Sequence, residues 1–307
     1  MQHVTDAMVD ELVEPAEAQA VLADAWKAFG KDQAAMQERI RTEAGGVKLS
    51  TLGAVIPGQG VTGAKVYTTI AGRFTFVILL FSTEDGRALA SFDAGAITRL
   101  RTAACSVLAA RQLARPDASV LTLFGTGVQG QAHLQQFAQA FPLRSVRVVN
   151  SRLSPQDIAT LEKDIGLPIE THSDAATALA GADIVVTASR ATTPLFPGES
   201  LHPGCFIAAV GSSLPTTREL DDVALHRARV VVVEWKPQSL REAGDLVLAA
   251  RDALAPEGKV VEMGDLLNGK VLAASRIEDD LSIYKSVGVG LQDVALAGLA
   301  WRKLGQA

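Results

Sequence analysis

The fold is decided by the stretch Val120-Leu121-Thr122-Leu123-Phe124-Gly125-Thr126-Gly127-Val128-Gln129-Gly130. Its apolar first half is typical of a buried parallel strand, and its second half is a complete G-x-G-x-x-G loop. We expect Gly125 to permit the tight turn, Gly127 to let a pyrophosphate approach the backbone, and Gly130 to bring the next helix close to the strand. A helix over residues 131–140 would direct unpaired N–H groups and its positive dipole end at the phosphates. The stretch therefore predicts a dinucleotide-binding loop, with the residues from Gly125 to Gly130 as cofactor contacts.

The end of the next strand indicates which dinucleotide binds. Residues 145–149 are predicted as that strand, and Asn150, Ser151 and Arg152 follow it. A loop that prefers NAD usually carries Asp or Glu here, about 20 residues after the glycines, to bind the ribose 2′-hydroxyl. Asn, Ser and Arg suit a 2′-phosphate better, because the planar fork of Arg152 can bind two phosphate oxygens at once. The sequence therefore favours NADP(H), with NAD(H) as the alternative cofactor and a solvated surface arginine as the alternative role of Arg152.

Strands and helices continue to alternate downstream, which predicts a doubly wound parallel sheet. Further strands are expected at residues 183–188, 205–210 and 228–233. Ligands bind at the carboxyl ends of such strands. The residues that end two of them are therefore candidate cofactor contacts: Thr187, Ala188, Ser189 and Val210. The predicted fold class is α/β, with a Rossmann-type domain over residues 116–289.

The first 115 residues predict a second, β-rich α+β domain. An amphipathic helix over residues 15–30 precedes expected strands at 47–52, 63–70, 74–81 and 88–92, and an Ala-rich helix follows over 96–113. The C-terminal segment 290–304 is again helical in pattern, and we expect it to pack back onto this domain. The first domain is therefore predicted to be discontinuous, over residues 1–115 plus 290–307.

Composition excludes several classes of protein. The formal net charge of −5 argues against nucleic acid or an acidic membrane surface as a partner. No apolar run approaches the roughly 20 residues that span a bilayer, and no signal segment is visible. Two separated cysteines and five scattered histidines give neither a disulfide framework nor a metal-binding spacing. These features predict a soluble cytoplasmic protein without a metal site.

The segment Asp93-Ala94-Gly95-Ala96-Ile97-Thr98-Arg99-Leu100-Arg101-Thr102-Ala103-Ala104 resembles the ornithine cyclodeaminase/mu-crystallin family. The resemblance extends over nearly the whole chain through further motifs: Gly63-Ala64-Lys65-Val66, Arg218-Glu219-Leu220-Asp221, Glu242-Ala243-Gly244-Asp245, Lys285-Ser286-Val287-Gly288 and Asp293. It implies a homodimer whose first domain supplies the β-rich interface and a substrate pocket facing the nicotinamide. It also implies that Val287 reaches the nicotinamide region, with core packing as the alternative, and we expect Asp293 to be a structural partner in the C-terminal helix.

In this family three cationic residues hold the substrate carboxylate, and the resemblance implies Lys65, Arg101 and either Arg39 or Arg41 in these positions. The register favours Arg39 over Arg41. The chemistry is reasonable, because a carboxylate that enters a dry cleft loses hydration worth several kcal/mol and needs paired cations. Arginine can bind it through two charge-assisted hydrogen bonds. Each of these residues could instead be a solvated surface cation.

One departure from the family pattern bears on the reaction. Cyclodeaminases of the family carry an aspartate in the loop after the fifth strand, where this chain has Gly211-Ser212-Ser213-Leu214-Pro215, with Ser213 at the aspartate position. A serine hydroxyl is no comparable base at neutral pH, so loss of ammonia from ornithine is not supported. In having serine there, the chain resembles the ketimine reductase-like members and the related archaeal alanine dehydrogenases. Ser213 would contact substrate or water, or cap the next helix.

These observations predict an NADPH-dependent reduction of a cyclic imino acid, Δ1-pyrroline-2-carboxylate or Δ1-piperideine-2-carboxylate, to proline or pipecolate. The expected catalytic residues are Lys65 and Ser213, since either Lys65 or a water held by Ser213 could keep the ring nitrogen protonated. Three alternatives remain: an alanine-type NAD(P)-dependent amino-acid dehydrogenase, an ornithine cyclodeaminase, and a non-catalytic protein that binds NADPH or another ligand.

Overall fold

The strands of the computed structural model form two separate sheets. The structure describes residues 1–149, 153–271 and 281–305, so the predicted phosphate-binding residues Asn150, Ser151 and Arg152 lie outside the described residues. The chain divides into two compact units, the first combining Met1–Cys105 with Gly288–Ala307 and the second covering Ser106–Val287. The first boundary thus lies at residue 105 rather than 115, inside the long Ala-rich helix, because the two halves of this helix belong to different units.

The strands are, in chain order, β1 (Gln2–Val4), β2 (Ala35–Met36), β3 (Ile40–Ala44), β4 (Val47–Ile56), β5 (Val61–Ile70), β6 (Arg73–Ser82), β7 (Ala88–Asp93), β8 (Val120–Phe124), β9 (Ser145–Val149), β10 (Ile169–His172), β11 (Ile184–Thr187), β12 (Phe206–Ala209), β13 (Ala228–Val233), β14 (Val260–Glu262) and β15 (Leu281–Lys285). The α-helices are α1 (Asp6–Leu12), α2 (Pro15–Phe29), α3 (Gly95–Leu113), α4 (Val128–Ala140), α5 (Pro155–Ile165), α6 (Ala175–Leu179), α7 (Asp222–Arg227), α8 (Lys236–Glu242), α9 (Gly244–Val247), α10 (Met263–Leu267) and α11 (Gly290–Leu304).

The first unit contains a mainly antiparallel sheet. Its strands lie in the order β1-β7-β6-β5-β4-β2, and β3 also pairs with β4. Helix α11 packs against β4 and β5 and contacts α2. Helix α2 begins with Pro15 at a position that favours proline and buries Ala18, Leu22, Ala25 and Trp26, whose spacing forms one apolar stripe. Because α11 contributes a continuous apolar face, the C-terminal segment is part of this core.

The second unit contains an eight-stranded sheet in the order β10-β9-β8-β11-β12-β15-β13-β14, and its neighbouring strands are all parallel. Strand β8 lies between β9 and β11, so the chain runs outward from β8 first to one side and then to the other. Such a reversal of strand order opens a crevice at the carboxyl ends of the strands, where ligands bind in this class of fold. The glycine loop follows β8 directly at this point.

The predicted fold class is confirmed: a Rossmann-type parallel sheet with helices accompanies a separate β-rich domain. Strand β9 and helix α11 agree with the prediction residue for residue. Other bounds differ from the prediction. Strand β4 continues beyond the predicted end at 52 to Ile56, and α4 begins at Val128, three residues before the predicted start at 131. Six strands were not predicted as separate elements: β1, β2, β3, β10, β14 and β15.

Candidate functional site

The glycine loop of the second unit has the geometry that its sequence predicts. Gly125 has a φ of +95°, and a Cβ at this position would lie 2.5 Å from the carbonyl oxygen of Ala188. A Cβ on Gly130 would overlap the carbonyl oxygen of Gly125. Side chains at these two positions would therefore force the strand–turn–helix junction apart. Both glycines are required by the fold itself.

Gly127 differs from its two neighbours in the motif. It is the N-cap of α4, and a Cβ added to it would meet no atom within 4 Å. The first N–H groups of a helix have no partner within the helix, and they carry its positive dipole end. The side chain of Gln131 donates to the carbonyl of Thr126 at 3.0 Å and so supports the turn. The open space beside Gly127 would let a phosphate group approach this end of the helix.

The carboxylate of Glu219 joins the ends of β11 and β12. It is fully buried and accepts hydrogen bonds from the Thr187 hydroxyl (2.8 Å), the Ser189 N–H and hydroxyl (2.8 and 2.7 Å) and the Gly211 N–H (2.8 Å). The hydroxyls of Thr187 and Ser189 therefore face Glu219. Their hydrogen bonds to Glu219 hold the ends of the strands in place, and a contact of these two side chains with the cofactor stays a prediction. Ala188 lies half-buried between them.

A second buried acid holds the loop after β12. Asp245 Oδ1 accepts hydrogen bonds from the N–H groups of Glu219 and Leu220 at 2.7 and 2.8 Å. Its Oδ2 lies 2.8 Å from the ammonium of Lys285, which also donates to the Ser212 carbonyl at 2.6 Å. Both charged side chains are fully buried, and removal of one partner would leave the other charge unpaired at high cost. The loop is thus held at several points of its backbone.

Ser213 lies in this held loop and is half-buried. The next helix, α7, begins at Asp222 and is capped by the side chain of Asp221, which accepts from the Ala224 N–H at 2.8 Å. The expected capping role of Ser213 is therefore wrong, because the cap residue Asp221 lies eight positions further along the chain. Val210 precedes the loop, and Val287 donates its N–H to Glu234 at 2.8 Å and is nearly buried.

The first unit contains a buried cationic cluster. Lys65 on β5 is 3% exposed, donates to the Thr98 hydroxyl at 2.6 Å, and lies 3.5 Å from Asp293 Oδ1. Its ammonium also lies 4.4 Å from the centre of the Phe76 ring, a distance at which a cation and an aromatic ring attract each other. Lys65 is therefore held by a hydroxyl, a carboxylate and a ring.

Arg101 on α3 reaches the same carboxylate. Its Nε lies 3.3 Å from Asp293 Oδ1, and its Nη1 donates to the side-chain oxygen of Gln292 at 2.8 Å. Arg101 is 7% exposed, and Asp293 and Gln292 are fully buried. Two consecutive residues of α11 thus orient the guanidinium. Asp293, expected as a structural partner in the C-terminal helix, pairs with both Lys65 and Arg101.

Arg39 completes the cluster through Gly288. Its Nη2 donates to the Gly288 carbonyl at 2.7 Å, and a Cβ on Gly288 would lie 2.7 Å from Nη2 of Arg101. The guanidiniums of Arg39 and Arg101 therefore both lie against Gly288. Arg41, in contrast, is exposed on β3, where it pairs with Ser50. The structure brings Arg39, Lys65 and Arg101 together and leaves Arg41 on the surface.

The electrostatics of the cluster follow from its burial. The pKa of Lys65 is lowered to about 8, mainly by burial. The positive charges of Arg101 and Arg39 also lower it, whereas the charge of Asp293 and its hydrogen bond act in the opposite direction. An ammonium with this pKa is mostly protonated at neutral pH and can still release its proton. Such a group suits both binding of a carboxylate and proton transfer.

Metal-type clusters and membrane-spanning helices are both absent from the described residues. Nowhere in residues 1–149, 153–271 and 281–305 do three or more His, Cys, Asp or Glu side chains group as a metal would require. In the same part of the chain, no helix has the length and apolar character needed to cross a membrane. Within the described part of the chain, Cys105 and Cys205 are buried and are not joined by a disulfide.

Three buried polar residues of these sites were not predicted to act there: Asp293, Gln292 and Glu219. A signal existed for the first two, because Gln292 and Asp293 are polar residues in an otherwise apolar stretch of α11. A polar residue on the buried face of a helix needs a partner. The partner itself could not be inferred, since Lys65 is 228 residues away in the sequence.

Comparison with known proteins gives a consistent family match. Residues 27–305 match the model of the ornithine cyclodeaminase/mu-crystallin family. Ketimine reductase mu-crystallin of Mus musculus is 34% identical over 226 residues, which cover 73% of this chain and 68% of that protein. Delta(1)-pyrroline-2-carboxylate reductase of Bacillus cereus is 32% identical over 265 residues, which cover 85% and 78%.

Solved structures agree over the full length. The probable ornithine cyclodeaminase from Bordetella pertussis Tohama I is 58% identical with a TM-score of 0.96, and the match covers 100% of this chain and 97% of that chain. The Thermococcus litoralis Delta(1)-pyrroline-2-carboxylate reductase, in complex with NADH and L-proline, has a TM-score of 0.91 at 23% identity, over 100% and 98% of the two chains. The second likeness concerns the fold alone.

Proposed function

Since the chain belongs to the ornithine cyclodeaminase/mu-crystallin family, we propose that it reduces a cyclic 2-imino acid with NADPH. The substrate would be Δ1-pyrroline-2-carboxylate or Δ1-piperideine-2-carboxylate, and the product proline or pipecolate. In this proposal the first unit binds the imino acid, and the second unit binds the dinucleotide. The observation that carries it is the cluster in which Lys65 and Arg101 share Asp293 Oδ1 and Arg39 binds the Gly288 carbonyl beside Arg101.

The cluster suits a small carboxylate because three cationic side chains come together in it. The hydration that a substrate carboxylate loses there would be replaced by charge-assisted hydrogen bonds from the guanidiniums. The fixed arrangement would also orient the substrate, which is the main contribution that a protein makes to hydride transfer.

Lys65 is well suited to donate a proton to the imine. In a 2-imino acid the carboxylate is attached directly to the carbon of the C=N bond, so a cation bound at the carboxylate lies close to the ring nitrogen. The ammonium of Lys65, with a pKa of about 8, can supply the proton that makes the iminium form. The balanced reaction joins imine, NADPH and a proton to give the cyclic amino acid and NADP+. Ser213, half-buried in its held loop, would contact substrate or water.

The cofactor proposal depends on the glycine loop. The open N-terminus of α4 behind Gly127 supports binding of a pyrophosphate there, and the bound dinucleotide would supply the hydride. The preference for NADP(H) rests on the sequence of Asn150, Ser151 and Arg152. Candidate contacts beyond the loop are Ala188, Val210 and Val287, together with the backbone next to Thr187 and Ser189.

Other members of the family suggest rival reactions. The solved relative from Bordetella pertussis is named a probable ornithine cyclodeaminase. Ser213 argues against that reaction here, because serine stands where cyclodeaminases carry the aspartate that acts on the substrate's amino group. An alanine-type dehydrogenase would need the same carboxylate site and the same hydride step. It differs only in using an open-chain imine made from a keto acid and ammonia.

The outer face of the first sheet supports a homodimer. Cross-strand pairing puts Ile40, Val47, Leu49, Ile70 and Val77 on one face of the sheet, opposite to the face that carries Lys65. These five apolar side chains are between 38% (Val77) and 52% (Ile40) exposed. Contiguous apolar surface of this kind usually marks a protein interface. A second copy of the chain would cover it.

The test is an assay of NADPH oxidation with purified protein and each cyclic imine. NADH, pyruvate with ammonia, and ornithine with NAD+ serve as parallel substrates. We expect turnover of a cyclic imine with NADPH preferred, and its loss in Lys65→Met. Turnover with pyruvate and ammonia alone would move the assignment to an amino-acid dehydrogenase. Tight NADPH binding without turnover of any substrate would favour a binding protein.

A further inference from the structure

We propose that Asp293 is a positioning residue whose negative charge keeps Lys65 an ammonium, and that this makes Lys65 the proton donor to the imine nitrogen. The inference rests on the proposed function, because it assigns a role within the same site. Asp293 itself does not bind substrate. It acts through Lys65.

The contacts of Asp293 extend beyond its own helix. Its Oδ1 is shared between Lys65 Nζ at 3.5 Å and Arg101 Nε at 3.3 Å, and these two cations come from β5 and α3. The carboxylate itself comes from α11 and is fully buried. One oxygen thus joins three elements of the first unit. Any change in its charge acts on both cations at short range.

The balance of charge at Lys65 shows why a carboxylate is needed. Burial and the guanidiniums of Arg101 and Arg39 all favour the neutral amine, whereas Asp293 opposes them both by its charge and by its hydrogen bond. The other contacts of the ammonium, the Thr98 hydroxyl and the Phe76 ring, carry no formal charge. Without Asp293, Lys65 would lose its proton at a lower pH, and little of the protonated donor would remain at neutral pH.

The distance of 3.5 Å also matters for the chemistry. A carboxylate at a closer distance with good hydrogen-bond geometry would hold the ammonium more strongly and raise its pKa. At the observed distance burial outweighs the charge and hydrogen bond of Asp293, so the pKa of Lys65 is about 8 and the proton is both present and transferable. Asp293 therefore sets a compromise between holding and releasing the proton.

The experiment compares the pH dependence of kcat/KM for the cyclic imine in the wild type and in Asp293→Asn. In the wild type we expect activity to fall as the pH rises through about 8, because Lys65 then loses its proton. In Asp293→Asn the same fall should lie about one to three units lower, the effect of one nearby opposite charge. Thr98→Val is the matched control, since it removes a hydrogen bond from the same ammonium but no charge. Its fall should stay within about half a unit of that of the wild type.

A second measurement needs no turnover. Acetylation of Lys65 by acetic anhydride, followed against pH by mass spectrometry, reports the fraction of neutral amine in each protein. The Lys65 midpoint should fall in Asp293→Asn and stay in Thr98→Val. If the wild type reduces no imine, the proposed function fails, while this midpoint still tests Asp293. Equal midpoints in the wild type and in a folded Asp293→Asn protein would overturn the inference.

Asp293→Glu keeps the test decisive if the Asn variant does not fold. It retains the negative charge, so both the pH at which activity falls and the labelling midpoint should remain close to those of the wild type. A folded Asp293→Glu protein with a midpoint lowered by about one unit or more would show that shape, rather than charge, is what Lys65 requires. That result would also overturn the inference.

Discussion

Arg101 lies directly against Gly288, so closely that a Cβ on the glycine would be 2.7 Å from its Nη2. Gly288 also has a φ of +78°, a backbone conformation that other residues adopt only with strain. We therefore expect Gly288→Ala to displace the guanidinium of Arg101 and to raise the KM for the imino acid by about 10-fold or more, the value of one charged hydrogen bond. Steady-state kinetics would measure this, and the Kd for NADPH should not change.

Gly60→Ala is the matched control for that variant. Gly60 has a φ of +73° in the same unit, but a Cβ there would meet no atom within 4 Å. Both variants should lower the free energy of unfolding by about 1–2 kcal/mol through backbone strain. Only Gly288→Ala should change KM. An equal effect of the two variants on KM would mean that strain, rather than contact with Arg101, is responsible.

Arg39 and Arg41 offer a direct comparison of two neighbouring cations. Arg39 donates to the Gly288 carbonyl beside Arg101, whereas Arg41 is exposed on β3. Arg39→Ala should raise the KM for the imino acid by about 10- to 100-fold, because a charge-assisted contact to the carboxylate is lost. Arg41→Ala should change KM by less than about 2-fold, as expected for an exposed charge. A larger effect of Arg41→Ala would mean that Arg41, and not Arg39, is the third cation that binds the substrate carboxylate.

Periodicity and turn chemistry predicted most of the fold correctly. The apolar runs of β8 and β9 and the helix pattern of α11 are local features that turn residues bound on either side. The short strands β1 and β2, in contrast, exist only through pairing with distant segments: Gln2 pairs with Ala90 and Ala35 with Val55. Three or fewer residues carry too little pattern to predict a strand.

The candidate site was predicted through its cations but not through its acids. Lys65 and Arg101 lie in recognisable motifs, whereas the role of Asp293 depends on contacts that join residues 192 and 228 positions apart. Glu219 is a similar case, because its burial depends on three hydrogen-bonded residues at the ends of different strands. Sequence patterns predict which faces are apolar. They do not show which buried acid meets which buried base.

Within the glycine loop, Gly127 and Gly130 should respond differently to substitution. Gly127→Ala adds a methyl group in open space, so the midpoint of thermal unfolding should fall by only a few degrees, as for a poorer helix cap. Its Kd for NADPH should nevertheless rise by about 10-fold or more, since the methyl group would occupy the place of a phosphate oxygen contact.

Gly130→Ala should weaken both properties, because its Cβ would overlap the Gly125 carbonyl. Calorimetry and titration of the intrinsic fluorescence with NADPH would measure the two effects in both variants. A Gly127→Ala protein that binds NADPH as tightly as the wild type would contradict a phosphate site at the N-terminus of α4.

The outer face of the first sheet predicts the oligomeric state. Leu49 is 43% exposed on that face, and Leu240 on α8 is 44% exposed outside it. Leu49→Lys should convert a dimer into a monomer, because a charge within an apolar interface loses its hydration without a partner. Leu240→Lys carries the same change of charge at equal exposure and should remain a dimer. Size-exclusion chromatography with light scattering would give the mass of each protein. A wild-type mass of a single chain, or a dimer that tolerates Leu49→Lys, would rule out this face as the interface.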